Sequence, residues 1–219
     1  MPTWLISTIF QVLVFTFYFS AVGLPVSYIM IAFIIYSLWN SINDPMIGFL
    51  SDRTRTRWGR RKPYIMFGTI PVIIIVIIIW IPPINNHMLS FIYLLIMLFA
   101  YDTFYTMLEV PIDCSFPELY NSVEERAEVN TYKQIFSVVG IFCAFLIAGI
   151  FIEDITVMED YLAIGIVVAI IIGSTMFISL KWGITEREEF KYDSQHEFSF
   201  FQGLKHTLHN RSFIIYTIM

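Results

Sequence analysis

Six long apolar runs separated by short polar stretches organise this 219-residue chain. They lie near residues 3–22, 26–50, 64–82, 89–112, 131–151 and 161–180. Each approaches or exceeds the roughly 20 residues that an α-helix needs to cross about 30 Å of hydrocarbon. The runs are continuous rather than alternating, which excludes a transmembrane β-barrel. The pattern predicts an all-α membrane protein with a six-helix bundle over 1–180. The second and fourth runs are long for one crossing, which implies tilt or extension beyond the bilayer. Each carries a proline near its end, Pro45 and Pro111, and irregular backbone is expected there because proline removes a helical hydrogen bond.

Beyond residue 180 the pattern changes. Segment 181–211 holds Glu186, Arg187, Glu188 and Glu189, then Phe198, Phe200, Phe201, Leu204 and Leu208. That spacing suits an amphipathic helix on the membrane surface, as in a cytoplasmic linker between two bundles. Apolar residues resume over 212–219, a stretch too short to cross at about 1.5 Å per residue. It reads as the start of a seventh transmembrane helix, so the chain is expected to be one half of a larger protein, either a fragment or a truncated gene product.

Composition agrees, with 57% hydrophobic and 14% charged residues and a mean hydropathy of +0.70. The formal charge of −5 matters less than where the bases fall. Arg53, Arg55, Arg57, Arg60, Arg61 and Lys62 follow the second run, and Arg126 and Lys133 flank the loop after the fourth. Lys181, Arg187, Lys191, Lys205 and Arg211 follow the sixth, whereas the opposite loops carry Glu153, Asp154, Glu159 and Asp160. The positive-inside rule makes the basic face cytoplasmic and puts the N-terminus inside, in an integral, multi-pass plasma-membrane protein. Within a tight inter-helix loop the arginine run reads as a topology and gating element, and no nucleic-acid partner is expected. The first run lacks a basic leader, so it reads as a retained span, and Cys114 and Cys143 are not expected to form a disulfide.

The chemistry lies in four acids inside the apolar runs: Asp44, Asp102, Glu109 and Asp113. Each ionised carboxylate in hydrocarbon costs about 2.5–3.5 kcal/mol on insertion scales, so such groups face a wet cavity, a proton or a bound cation. No Lys or Arg is expected near the bilayer centre to neutralise them, which points to cation-coupled transport. Asn40, Asp44, Gly48 and Asp52 recur every four residues on one helical face, with Ser37 and Ser41 beside it. Amide oxygens of Asn40 and Asn43 next to Asp44 would make a hard-oxygen cage for a small cation. The competing reading has Asp44 cap a helix broken at Pro45. On the fourth run Asp102, Thr106, Glu109 and Asp113 follow i, i+4, i+7, i+11, with Tyr101 and Tyr105 adjacent. Three ionised carboxylates on one stripe repel, so at least one should hold a proton or sit beside a cation. Cation binding is therefore assigned to Asp44, Asn40, Asn43, Thr106 and Glu109, and substrate binding to Asp102, Tyr105 and Asp113. Trp39, Tyr101 and Tyr105 could stack on a sugar ring, although membrane aromatics more often serve packing.

The loop after the second run supplies gating residues. Gly48 is expected to let helices approach closely, Asp52 and Arg53 to exchange partners, and Gly59, Arg60 and Arg61 to meet helix ends or acids of the next loop, where Glu118 and Arg126 lie. The pattern Gly48-x-x-x-Asp52-Arg53 followed by Gly59-Arg60-Arg61 resembles the loop signature of the major facilitator superfamily. Trp39 to Pro45 with Arg57 to Pro63, Thr106 to Pro111, and Pro117-Glu118-Leu119 leading to Glu125-Arg126 resemble the glycoside-pentoside-hexuronide:cation symporters, across their N-terminal half.

The resemblance implies a twelve-helix fold with a sugar or glycoside and a coupling ion, Na+ or H+, bound near the midplane between this half and a missing C-terminal six-helix half. Surrounding lipid is the other partner, and no further cofactor is expected. Of the two second-span acids that help bind sodium in that family, this chain has Asn40 at the first position and Asp44 at the second. The family's fourth-span Thr and acid match Thr106 and Glu109. Its aromatic sugar contact is replaced by Asp113, its first-span acid falls at Trp4, and its fifth-span base falls at Lys133 or Gln134, which join the substrate set on that ground. A lipid- or amphiphile-transporting member of the same superfamily and a non-transporting fragment are the alternatives. Enzyme motifs such as Gly-x-Ser-x-Gly, a Walker loop or His-Glu-x-x-His are absent from the sequence, and the i, i+3 pair His206 and His209 lacks the acidic or Cys companions of a metal site.

Overall fold

The computed structural model describes residues 2–120, 122–183 and 209, and among them the side chains of residues 2–4, 6, 117 and 118 are left aside. The described residues form six helices: α1 Pro2–Thr16, α2 Val26–Arg53, α3 Lys62–Ile78, α4 His87–Leu119, α5 Val123–Phe151 and α6 Met158–Ile178. Four stretches are long and apolar enough to cross a membrane: Val26–Arg53, His87–Phe116, Val123–Phe151 and Met158–Gly183. The apolar stretches of α1 and α3 are shorter. The segments read as linker and seventh span, apart from Lys181–Gly183 and residue 209, lie outside the described residues.

Three boundaries differ from the hydropathy reading for physical reasons. The third helix ends at Ile78 rather than near 82, because Pro82 and Pro83 cannot continue a helix. The fifth begins at Val123 rather than 131: the Ser122 side chain accepts from the Glu125 backbone and the Glu125 side chain accepts from the Ser122 backbone, a capping box that starts the helix in polar sequence. The expected break at Pro45 is absent. Helix α2 runs through Pro45 to Arg53 and α4 runs through Pro111, so Asp44 does not cap a broken helix. Irregular backbone lies elsewhere, as π-helical turns at Phe17–Ala21 and Ser179–Gly183.

The turn after α1 closes at Gly23, whose φ of 71° a side chain would strain. Leu24 then bonds back to Tyr18, and the Tyr18 hydroxyl donates to the carbonyl of Ile79 at 3.1 Å, tying this turn to the end of α3. Phe17 packs against Trp80 and Tyr161, with ring centroids 5.1 and 4.9 Å away, so residues just past α1 and α3 meet the first turn of α6 in one aromatic cluster. Helix α3 packs mainly on α4 and α6, α2 on α4, and α1 on α5. Exposed apolar side chains cover the outer faces, among them Ile34, Leu38, Phe142 and Phe145, as expected for helices in lipid.

Candidate cation and substrate site

The side chains of α2 and α4 meet through a polar seam. Trp39 Nε1 donates to Thr103 Oγ1 at 3.2 Å and stacks on Phe99 at 5.4 Å. Asn40 Nδ2 donates to Asp102 Oδ1 at 2.8 Å, and Asn43 Nδ2 donates to Asp102 Oδ2 at 2.9 Å. The same Asn43 nitrogen reaches Thr106 Oγ1 at 3.0 Å, and Thr106 donates to Asp44 Oδ1 at 2.9 Å. These residues recur every three or four positions on both helices, so once α2 and α4 pack along this face the stripes register.

The seam opens into a cavity of about 390 Å³, lined by Ser7, Phe10 and Gln11 of α1, Tyr36, Asn40 and Asp44 of α2, and Tyr101, Asp102, Tyr105, Thr106 and Glu109 of α4. That volume falls within the ~300–1,000 Å³ of small-molecule sites. Three carboxylates face it, and among the described residues its lining contains no Lys or Arg. Glu109 accepts from the Tyr105 hydroxyl at 3.2 Å. An aromatic wall runs from Phe10, stacked on Tyr101 at 3.5 Å, to Tyr105, stacked on Tyr101 at 5.3 Å. Tyr101 is only 2% exposed, and its hydroxyl has no hydrogen-bond partner among the described residues.

The structure thus brings Asn40, Asp44, Asp102, Tyr105, Thr106 and Glu109 around one opening, with Asn43 buried behind it. Two expectations need correction. Asn40 and Asn43 do not turn amide oxygens toward Asp44. Their nitrogens serve Asp102, whose two carboxylate oxygens accept one amide hydrogen each. Asp113 is not an acid without a fixed partner either: Lys133 Nζ lies 2.7 Å from its Oδ1. Asp113, Lys133 and Gln134 are absent from the cavity lining. Sequence reasoning missed Ser7, Gln11 and Tyr36. The signal was present, since Tyr36 extends the Asn40–Asp44 stripe by one turn and Ser7 and Gln11 are four apart in an apolar helix. The side chain of Trp4 lies outside the described ones.

At the basic end, Gly59 adopts φ 105° in the turn closed by its N–H to the Thr56 carbonyl at 3.0 Å, a backbone that favours glycine. Arg61 pairs with Asp52 at 3.0 Å, and both Arg60 and Arg61 are buried. The Arg53 guanidinium lies 4.0 Å from the centre of the Phe49 ring. Arg126 Nε donates to the Tyr120 carbonyl at the end of α4, 2.7 Å away. Gly48 faces Val110, but a Cβ placed on it would sit 3.5 Å from Val110 Cγ1, an ordinary contact, so close approach does not require glycine there. The Glu118 side chain is outside those described.

Residues 1–219, the whole chain, match the family described as MFS/sugar transport protein. An uncharacterized symporter of Synechocystis is 35% identical over 124 residues, covering 54% of this chain and 23% of the relative. The isoprimeverose transporter of Lactiplantibacillus pentosus is 23% identical over 124 residues, 57% of this chain and 27% of the relative. The sodium-dependent lysophosphatidylcholine symporter 1 of Xenopus tropicalis is 23% identical over 213 residues, 81% of this chain and 40% of the relative. The chain spans less than half the length of these curated relatives. With six helices, an acid-lined cavity between them and a family match along its full length, the chain belongs to the MFS/sugar transport family of integral, multi-pass membrane proteins.

Proposed function

We propose that the chain is the N-terminal six-helix half of a secondary active transporter that couples uptake of a sugar or glycoside to a cation. The observation that carries this reading is the meeting of Asp44, Asp102 and Glu109, from two helices, at one cavity whose lining holds no base among the described residues. Negative charge gathered in a low-dielectric wall favours a visiting cation and is costly without one. Asp44, Thr106 and Glu109 are the cation ligands in this reading, and Na+ or H+ is the ion. Sodium finds support in a relative named as sodium-dependent. The substrate lies against Tyr105 and the polar edge of the cavity, with the missing half as its opposing wall. The basic loops lie on the cytoplasmic side of the plasma membrane, with the N-terminus inside, and residues 181–211 form the inter-bundle linker.

In the full-length transporter, Asp44→Asn abolishes gradient-driven uptake of a radiolabelled glycoside panel while the protein still reaches the membrane. Unchanged uptake would refute the assignment. The lysophosphatidylcholine symporter match over 213 residues favours a second reading in which the cargo is an amphiphile. Competition separates the two: lysophosphatidylcholine displaces the labelled substrate only if the cleft takes lipid.

A further inference from the structure

Asp102 lines the cavity yet is 1% exposed. Both of its carboxylate oxygens already accept, from Asn40 at 2.8 Å and from Asn43 at 2.9 Å. A group so enclosed is poorly placed to hold a substrate that comes and goes. What it does to its neighbours follows from counting hydrogens. An amide NH2 has two, and Asn43 gives one to Asp102 and the other to Thr106. A hydroxyl has one hydrogen, and Thr106, which accepts from Asn43, donates its own to Asp44 Oδ1 at 2.9 Å. Every bond in this chain has a fixed direction, and the direction originates at the acceptor-only end, Asp102.

The cost of that orientation is visible. Asn43 Oδ1 is buried with no partner among the described residues, a loss that is offset when the amide nitrogen gains a stronger, charge-assisted bond elsewhere. Without the Asp102 charge, Asn43 is free to turn this oxygen toward Thr106. The hydroxyl hydrogen would then leave Asp44, and the Asp44 carboxylate would lose the contact that ties down Oδ1 and leaves Oδ2 for an ion. The negative charge of Asp102 also adds directly to the field a cation meets at Asp44.

We propose that Asp102 is a positioning residue of the cation site, a buried charge that acts through Asn43 and Thr106 to orient Asp44 and strengthen its hold on a monovalent cation. The inference rests on Asp44 being the coupling site. It also places a carboxylate beside Asn40, so that a charge on α4 stands 2.8 Å from an amide on α2. The two positions are therefore exchangeable in principle: with Asn40→Asp and Asp102→Asn together, the residue at 102 still accepts from Asn43 through its oxygen and donates to the new carboxylate through its nitrogen.

The test uses the full-length transporter in nanodiscs. Cation affinity is read as sodium chloride binding by calorimetry and, in sodium-free buffer, as the protonation midpoint of the carboxyl infrared band that Asp44→Asn removes. Asp102→Asn is expected to weaken whichever cation binds by about tenfold, the effect of removing one nearby charge. The Asn40→Asp/Asp102→Asn double variant should return the affinity to within about threefold of the parent, the precision at which a restored charge is recognisable. A merely structural role predicts no such rescue, because the double variant departs further from the native sequence. Thr106→Val gives a second route that leaves Asp102 intact. Its loss and that of Asp102→Asn should combine to less than their sum, since the part of each that runs through the Thr106 hydroxyl is shared.

Native affinity in Asp102→Asn, or a double variant no better than the single, overturns the proposal. Should Asp102→Asn fail to fold, the double variant decides alone, and affinity there more than about threefold below the parent overturns the proposal, as native affinity in Thr106→Val does. If Asp44→Asn changes neither sodium nor proton binding, the transport reading itself fails; if it abolishes binding while Asp102→Asn does not weaken it, only this inference fails.

Discussion

Two inter-helix seams of this bundle are built from opposite materials. Between α3 and α6 the packing is apolar and very tight: a Cβ on Gly165 would lie 2.6 Å from Trp80 Cδ1 and 2.7 Å from the Val76 carbonyl. Between α2 and α4 the contacts are amides, hydroxyls and carboxylates within 3.2 Å of one another. In lipid the apolar faces of two helices gain little by meeting, so association depends on close packing or on polar bonds. The dry seam uses the first and is silent chemically. The polar seam uses the second, and four of the groups that hold the helices together, Asn40, Asp44, Asp102 and Thr106, also line the cavity. Stability and function are thus separable on one side of the bundle and entangled on the other.

The largest effect expected from breaking this contrast is at the dry seam. Gly165→Ala forces a methyl against an indole ring and a backbone carbonyl, and the carbonyl cannot swing aside, so the chain should lose about 3 kcal/mol of stability, the upper end of overpacking penalties. Thermal unfolding in detergent would register this loss, and cation binding by the molecules still folded should stay native. A loss of cation affinity in that folded fraction would show that the two seams are coupled after all.

Asn43→Leu is the matching change at the polar seam. It leaves Asp102 Oδ2 and Thr106 without their shared donor in a buried position, which should cost about 2 kcal/mol. Unlike Gly165→Ala it should also weaken cation binding in folded protein. Stability loss without any change in cation binding would mean that the seam is only an adhesive.

The sequence carried much of the fold because hydropathy marks helix existence well. It carried less about helix ends, which depend on local chemistry that hydropathy averages away. The capping box at Ser122 and Glu125 starts α5 in a polar stretch, and the Pro82–Pro83 pair stops α3 inside an apolar one. Pro45 and Pro111 misled for a related reason. A proline deletes one backbone bond, but a long helix packed along its length tolerates the gap, as α2 and α4 do. The helical spacing of Asn40 and Asp44, and of Asp102, Thr106 and Glu109, made the site's membership readable. The side each amide presents was not readable, because it depends on which α4 carboxylate lies within 3 Å of which α2 nitrogen. Tyr36, Ser7 and Gln11 escaped because an isolated hydroxyl or amide in an apolar run looks like ordinary helix decoration until a cavity joins it to the acids.

The smallest effect should come from the ion pair between α4 and α5. Asp113 and Lys133 lie 2.7 Å apart with side chains 49% and 43% exposed, and neither lines the cavity. A half-exposed pair of this kind is worth about 0–1 kcal/mol, so Asp113→Asn and Lys133→Gln should each lower stability by less than about 1 kcal/mol. The double variant should do no worse than either single, because removing both charges leaves neither unpaired. Cation affinity is the sharper readout. Asp113 is one helical turn from Glu109, so a carboxylate that belonged to the cation site would lower affinity as strongly as Asn43→Leu does. Native affinity in all three variants would set the boundary of the site at Glu109 and leave Asp113 and Lys133 as a neutral clasp between helices.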